Sequence, residues 1–131
     1  DTLEGAQGSD VLRGGAGRDT LTGDSTLAGD NAIDYFFLDL DNSIDVIVDY
    51  EDGVDKIRVD GGLFGIDGGW SIVNLATGSA AGDASEAQFV FVQDLGDLYF
   101  DADGIGAGAA VRIADFSSFA GTLNAADLDV V

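Results

Sequence analysis

Cysteine, histidine and proline are all absent from this 131-residue chain, and only five residues are Lys or Arg. Without cysteine there are no disulfides and no thiolate metal sites. Without histidine, Ser–His and Cys–His nucleophilic catalysis and most zinc sites are excluded. Five cations against 25 acids leave a formal net charge of -20. No basic patch exists for nucleic acid, and anionic membranes would need a bridging cation. No apolar run reaches the roughly 18 residues of a membrane span. No N-terminal signal peptide is visible, and the chain opens in mid-pattern, as a fragment of a longer protein would.

Aspartate and glycine fill the composition instead. Of the acids, 22 are Asp and 3 are Glu, and there are 20 Gly. A merely solubilising surface would use Glu freely, since Glu suits helices. Asp suits turns, caps and short metal-binding loops. So concentrated a negative charge repels itself, and divalent cations relieve the repulsion. Calcium fits, because it takes oxygen ligands from carboxylates and carbonyls. Hydrophobic residues still make up 46% of the chain, enough for one modest core.

The glycines and aspartates recur in phase. GAQGSDVLR from Gly5 and GGAGRDTLT from Gly14 both fit G-G-x-G-x-D-x-U-x, with U a large apolar residue. Asp10 and Asp19 hold the sixth position, Leu12 and Leu21 the eighth, and Asp1-Thr2-Leu3-Glu4 fits the last four positions of another copy. Ala6 replaces a glycine. After Gly23, GDSTLA (Gly23 to Ala28) reads as a six-residue insertion, and a degenerate copy, GDNAIDYFF, starts at Gly29 with Asp34 sixth and Phe36 eighth.

The nonapeptide has a physical logic. Glycines permit positive φ and expose carbonyl oxygens in a tight loop, and the aspartate closes the loop with a carboxylate. The x-U-x triplet is a very short strand with one side chain inward. Two nonapeptides complete one turn of a flattened coil, so loops 18 residues apart stack and an ion fits between them. Asp1 and Asp19 then share one edge. Asp10 lies on the other, beneath either Gly23–Asp24 or the Asp34 loop.

These repeats resemble the RTX (repeats-in-toxin) family of proteins exported by the type I secretion machinery of Gram-negative bacteria. The resemblance implies a calcium-binding parallel β-roll. By position it implies Ca²⁺ ligands at Asp10 and Asp19, with carbonyls of Gly5, Gln7, Gly14 and Ala16. Asp1, Asp24 and Asp34 are further candidates. DVIVDYEDGVDKIRV (45–59) resembles the segment that follows the roll in RTX proteases and lipases, and LYFDADGIGAGAAVRIADF (98–116) resembles their C-terminal part. The ending, Asp127 to Val131, is similar to their uncleaved C-terminal secretion signal.

The rest of the chain reads as strands between Gly/Asp/Ser turns. QFVFVQD and DLYFDAD form a hairpin around Leu95-Gly96, and 117–127 hold a short helix or turn before a last strand. Asp45, Asp49, Asp52 and Asp55 read as solvent-facing acids at strand ends and turns, with a further calcium site there as the alternative. Asp101-Ala102-Asp103-Gly104 begins like an EF-hand loop, but its twelfth position is Arg112, so it reads as a turn. The glycine string 104–109 lacks the βαβ context of a dinucleotide site.

The expected fold is all-β: a short right-handed parallel β-roll (1–40) capped by an antiparallel β-region (41–131) that carries the secretion signal. The expected function is calcium-dependent folding and secretion, unfolded in low calcium and folded once secreted, stabilising an N-terminal passenger. The fragment itself is not an enzyme. Its parent is left open among proteases, lipases, epimerases, toxins and surface-layer proteins. The alternative function is a calcium-dependent carbohydrate-binding or adhesive module, with Trp70, Tyr35, Tyr50 and Tyr99 as a glycan face.

Overall fold

A computed structural model describes residues 1–24, 31–76, 86–104, 108–117, 119 and 121–131. Most of the expected insertion (25–28), the Gly29-Asp30 start of the degenerate copy, residues 105–107 of the glycine string, and Ser118 and Ala120 lie outside the described residues.

The repeats fold into alternating strands of two parallel sheets. β1 (Thr2–Ala6), β3 (Thr20–Asp24) and β5 (Asp45–Ile47) lie side by side in one sheet, and β2 (Val11–Arg13), β4 (Tyr35–Leu38) and β6 (Lys56–Val59) in the other. The chain crosses from sheet to sheet at every loop, which makes a β-roll. Parallel stacking runs through Val59, so the 45–59 segment supplies two of the roll's strands. Each roll strand turns at least one apolar residue inward, and β4 and β6 turn two (Phe36 and Leu38, Ile57 and Val59), because side chains alternate across a strand. Register pairs Leu3 with Leu21, Leu21 with Ile47 and Ile47 with Phe116 in the first sheet. In the second it pairs Leu12 with Phe36, Phe36 with Ile57 and Ile57 with Leu128. Apart from the half-buried Leu3, these residues are buried and form one continuous core.

The remaining strands extend both sheets. β6 leads into a single helical turn, α1 (Gly61–Phe64), whose start is capped by the Asp60 side chain accepting from the Leu63 amide. β7 (Trp70–Leu75), β8 (Ala87–Val92), β9 (Asp97–Asp101) and β10 (Val111–Phe116) follow, and the first sheet runs β1-β3-β5-β10-β9-β8-β7. β8 and β9 form the expected antiparallel hairpin, and Gly96 in its turn has φ 71°. β9 and β10 are also antiparallel. The pairing of β7 with β8 is parallel, which makes the region mixed.

A short 3₁₀ turn at Ala125–Asp127 precedes β11 (Leu128–Val130), which lies parallel to β6 in the second sheet. The later part of the chain therefore covers the roll by adding β10 beside β5 and β11 beside β6. Both roll edges that would otherwise offer unpaired backbone at that end are satisfied. The fold is all-β: a parallel β-roll with a β cap. Tyr50 packs between the two parts, edge-on to Phe116 and Phe119 at centroid distances of 5.2 and 5.1 Å.

Candidate metal centre

Loops joining the two sheets stack along two edges. On one edge lie 5–10, 23–34 and 48–55, and on the other 14–19 and 39–45. Each loop ends in an aspartate at the mouth of the next strand, and these aspartates are stitched together. The Asp10 amide donates to Asp34 Oδ1 at 2.9 Å, and the Asp34 amide donates to Asp55 Oδ1 at 3.0 Å. On the opposite edge the Asp19 amide donates to Asp45 Oδ1 at 3.0 Å, and the amino group of Asp1 donates to Asp19 Oδ1. Two ladders result: Asp10, Asp34, Asp55 and Asp1, Asp19, Asp45. Asp1 and Asp19 thus share one edge, and the Asp34 loop stacks over Asp10. Both Gly23–Asp24 and Asp34 belong to that one loop.

The first glycine of each loop makes room for the carboxylate. A Cβ on Gly5 would stand 2.8 Å from Asp10 Oδ2 and 2.7 Å from the Gly23 carbonyl oxygen, too close for any side chain. Gly14 lies against Asp19 in the same way, and Gly23 against Asp34. This corrects the register of the third loop. Gly23, rather than Gly29, stands in the first position's contact with the loop aspartate, so the additional six residues sit inside the loop between them.

One carboxylate oxygen in each intact repeat is left over. Asp10 Oδ2 and Asp19 Oδ2 are buried without a hydrogen-bond partner, and Asp19 as a whole is 2% exposed. A buried charged oxygen of this kind is normally paired or bound to a metal. Among the described residues no three acidic side chains converge on one point. With one carboxylate per turn, the remaining oxygens facing such an ion have to come from the loop backbone. This oxygen-only donor set, anionic and flexible, fits calcium and does not fit zinc.

Asp45 and Asp55 are buried, not solvent-facing, at 4% and 3% exposure, each stacked against the preceding aspartate of its ladder, whose amide it accepts. Burial pushes both carboxyl groups up to about 6, against the amide hydrogen bonds they accept and with help from like charges, Asp19 beside Asp45 and Asp34 beside Asp55. Burial raises Asp34 as well. Asp49 is half-buried and takes the amides of Gly23 and Asp24, one on each oxygen, both at 2.8 Å. Asp52 is exposed as expected. A signal for the two buried acids was present: Asp45-Val46-Ile47-Val48 and Asp55-Lys56-Ile57-Arg58 repeat the D-x-U-x ending of the nonapeptide. Glycines are largely lost from the loops before them. Asn42 (φ 65°) and Gly53 (φ 78°) supply the left-handed turns there.

The other candidate acids have local roles. Asp103 accepts from the Gly108 amide, which holds its carboxyl below the usual range. Of the rings considered as a glycan face, Tyr50 is buried, Tyr35 lies 4.0 Å beneath the Arg58 guanidinium and Trp70 meets Phe89 edge-on.

Residues 1–33 match the family of RTX calcium-binding nonapeptide repeats, in four copies. Comparison with curated proteins and with solved structures returns no match. The fold and the repeats define a calcium-binding β-roll module. Residues 1–33 are the RTX calcium-binding part of the chain, and repeats of that family bind calcium. RTX repeats occur in secreted bacterial proteins. No helix among the described residues is long and apolar enough to cross a membrane.

Proposed function

We propose that this domain is a calcium-dependent folding and secretion module, disordered where calcium is scarce, folded once outside the cell, and stabilising a passenger on its N-terminal side. The observation that carries the reading is the pair of buried, unpartnered oxygens on Asp10 and Asp19 in a chain of net charge -20. In this reading Asp10 and Asp19 hold calcium with carbonyls of Gly5, Gln7, Gly14 and Ala16, and Asp1, Asp24 and Asp34 are the further donors. Bound calcium supplies positive charge between stacked loops that otherwise repel. A site whose dissociation constant lies about 100-fold below ambient calcium adds about 2.7 kcal/mol. Two such sites together match the low end of a small domain's net stability, about 5–15 kcal/mol. Cytosolic calcium would leave that contribution unmade, and the similarity of the last residues to a type I signal gives the unfolded chain a route out.

The reading is tested by far-UV circular dichroism with and without EGTA. The β spectrum is expected in millimolar calcium and a coil spectrum in EGTA, with recovery on adding calcium back. A β spectrum unchanged in EGTA would rule out the switch.

A further inference from the structure

The aspartates of the roll divide into two kinds by what their oxygens do. Asp10 and Asp19 each keep one buried oxygen without a partner. Asp49 and Asp55 keep none free of the backbone. Asp49 Oδ1 accepts from the Gly23 amide and Oδ2 from the Asp24 amide, both at 2.8 Å. Asp55 Oδ1 accepts from the Asp34 amide at 3.0 Å and Oδ2 from the Glu51 amide at 2.9 Å. Gly23 and Asp24 begin the long third loop and Asp34 ends it, so these two carboxylates grip both ends of that loop from the turn above. The loop needs such a grip. Gly5 and Gly14 each precede their aspartate by five residues, while Gly23 precedes Asp34 by eleven. A longer loop costs more entropy to close and defines the position of its last residue less well. Yet Asp34 Oδ1 still meets the Asp10 amide at 2.9 Å, in the same relation that Asp45 Oδ1 has to the Asp19 amide.

We propose that Asp49 and Asp55 are positioning residues, not calcium ligands: they hold the amides of Gly23, Asp24 and Asp34 so that Asp34 stays in register over Asp10 and the site between those two aspartates keeps its shape. Both lie outside the matched repeats, and the inference rests on the reading that these loops hold calcium. Residues that orient metal ligands from behind change affinity by about 10- to 100-fold when altered, without entering the coordination sphere.

The test uses the whole chain, with terbium as a luminescent stand-in for calcium. Calcium affinity is measured by competition, and inner-sphere water is counted from terbium lifetimes in H₂O and D₂O. Asp49→Asn and Asp55→Asn are expected to weaken calcium binding at the third-loop site by about 10-fold, with the number of ions bound and the water count unchanged. Asp19→Asn is the contrast, and its water count should rise. A higher water count or a lost ion in Asp49→Asn or Asp55→Asn would make that residue a ligand, and unchanged affinity in both would remove the role altogether. If Asp55→Asn does not fold in excess calcium, the half-buried Asp49 carries the test alone. Failure of the wild-type chain to bind calcium would overturn the underlying reading instead, so the two failures are distinguishable.

Discussion

Ala6 and Gly5 are neighbours with opposite needs. Ala6 has φ 81°, where its Cβ crowds the backbone, while Gly5 has room for no Cβ at all beside Asp10. An L-residue other than Gly pays about 1–2 kcal/mol to sit in the left-handed region. Ala6→Gly is therefore expected to raise calcium-loaded stability by about 1 kcal/mol in a denaturant titration, less the extra entropy of the unfolded glycine. Gly5→Ala should lower it by about 1–3 kcal/mol, because the added methyl drives Asp10 away from its place. Effects of the same sign from both substitutions would contradict this geometry. Left-handed turns are tolerated at Asn31 and Asn42 because the asparagine side chain can hydrogen-bond locally.

At the scale of elements, the roll's strands are held by one or two inward apolar residues each, and the central strands matter most. Leu21 is fully buried between Leu3 and Ile47 in the first sheet. Truncating it opens a cavity in the middle of the column. Leu21→Ala should cost about 2–5 kcal/mol by the same titration. A loss well under 1 kcal/mol would mean that the column is not close-packed. Much of this layer could be read directly: Leu3, Leu12, Leu21 and Phe36 stand at the eighth position of phased nonapeptides, and turn residues mark the β8–β9 hairpin. The ladders could not. The sixth-position aspartates run at 1, 10, 19, 34, 45 and 55, and this drift hides Asp45 and Asp55 from a search for nine-residue spacing. Nor does spacing reveal that a carboxylate 24 or 26 residues ahead accepts an amide, since that depends on how the turns stack. The parallel alignment of β7 with β8 was illegible for a related reason: strand patterns give no direction.

At the scale of the whole molecule, the roll's ladder contacts and its contacts with the C-terminal strand region differ in sequence separation. Ladder partners in the roll lie 18 to 26 residues apart, while Arg58 reaches Asp129 across 71 residues and the Lys56 ammonium reaches the Ala126 carbonyl across 70. Closing the longer span costs roughly 1 kcal/mol more in chain entropy, and non-local pairing slows folding further. Among the described strands, β1 and β2 each have a partner on one side only. In the isolated chain beginning at Asp1, loss of calcium is therefore expected to peel turns from that edge first, while β5, β6, β10 and β11 remain paired. A double-jump experiment reads this out. After a short EGTA pulse, refolding on calcium should be fast, because intact strands template the returning turns. After a long one it should be slow, because β11 must find β6 again. One rate at every pulse length would sink the idea. If the two rates differ, the joining of β11 to β6 makes the domain's response to calcium depend on how long calcium has been gone.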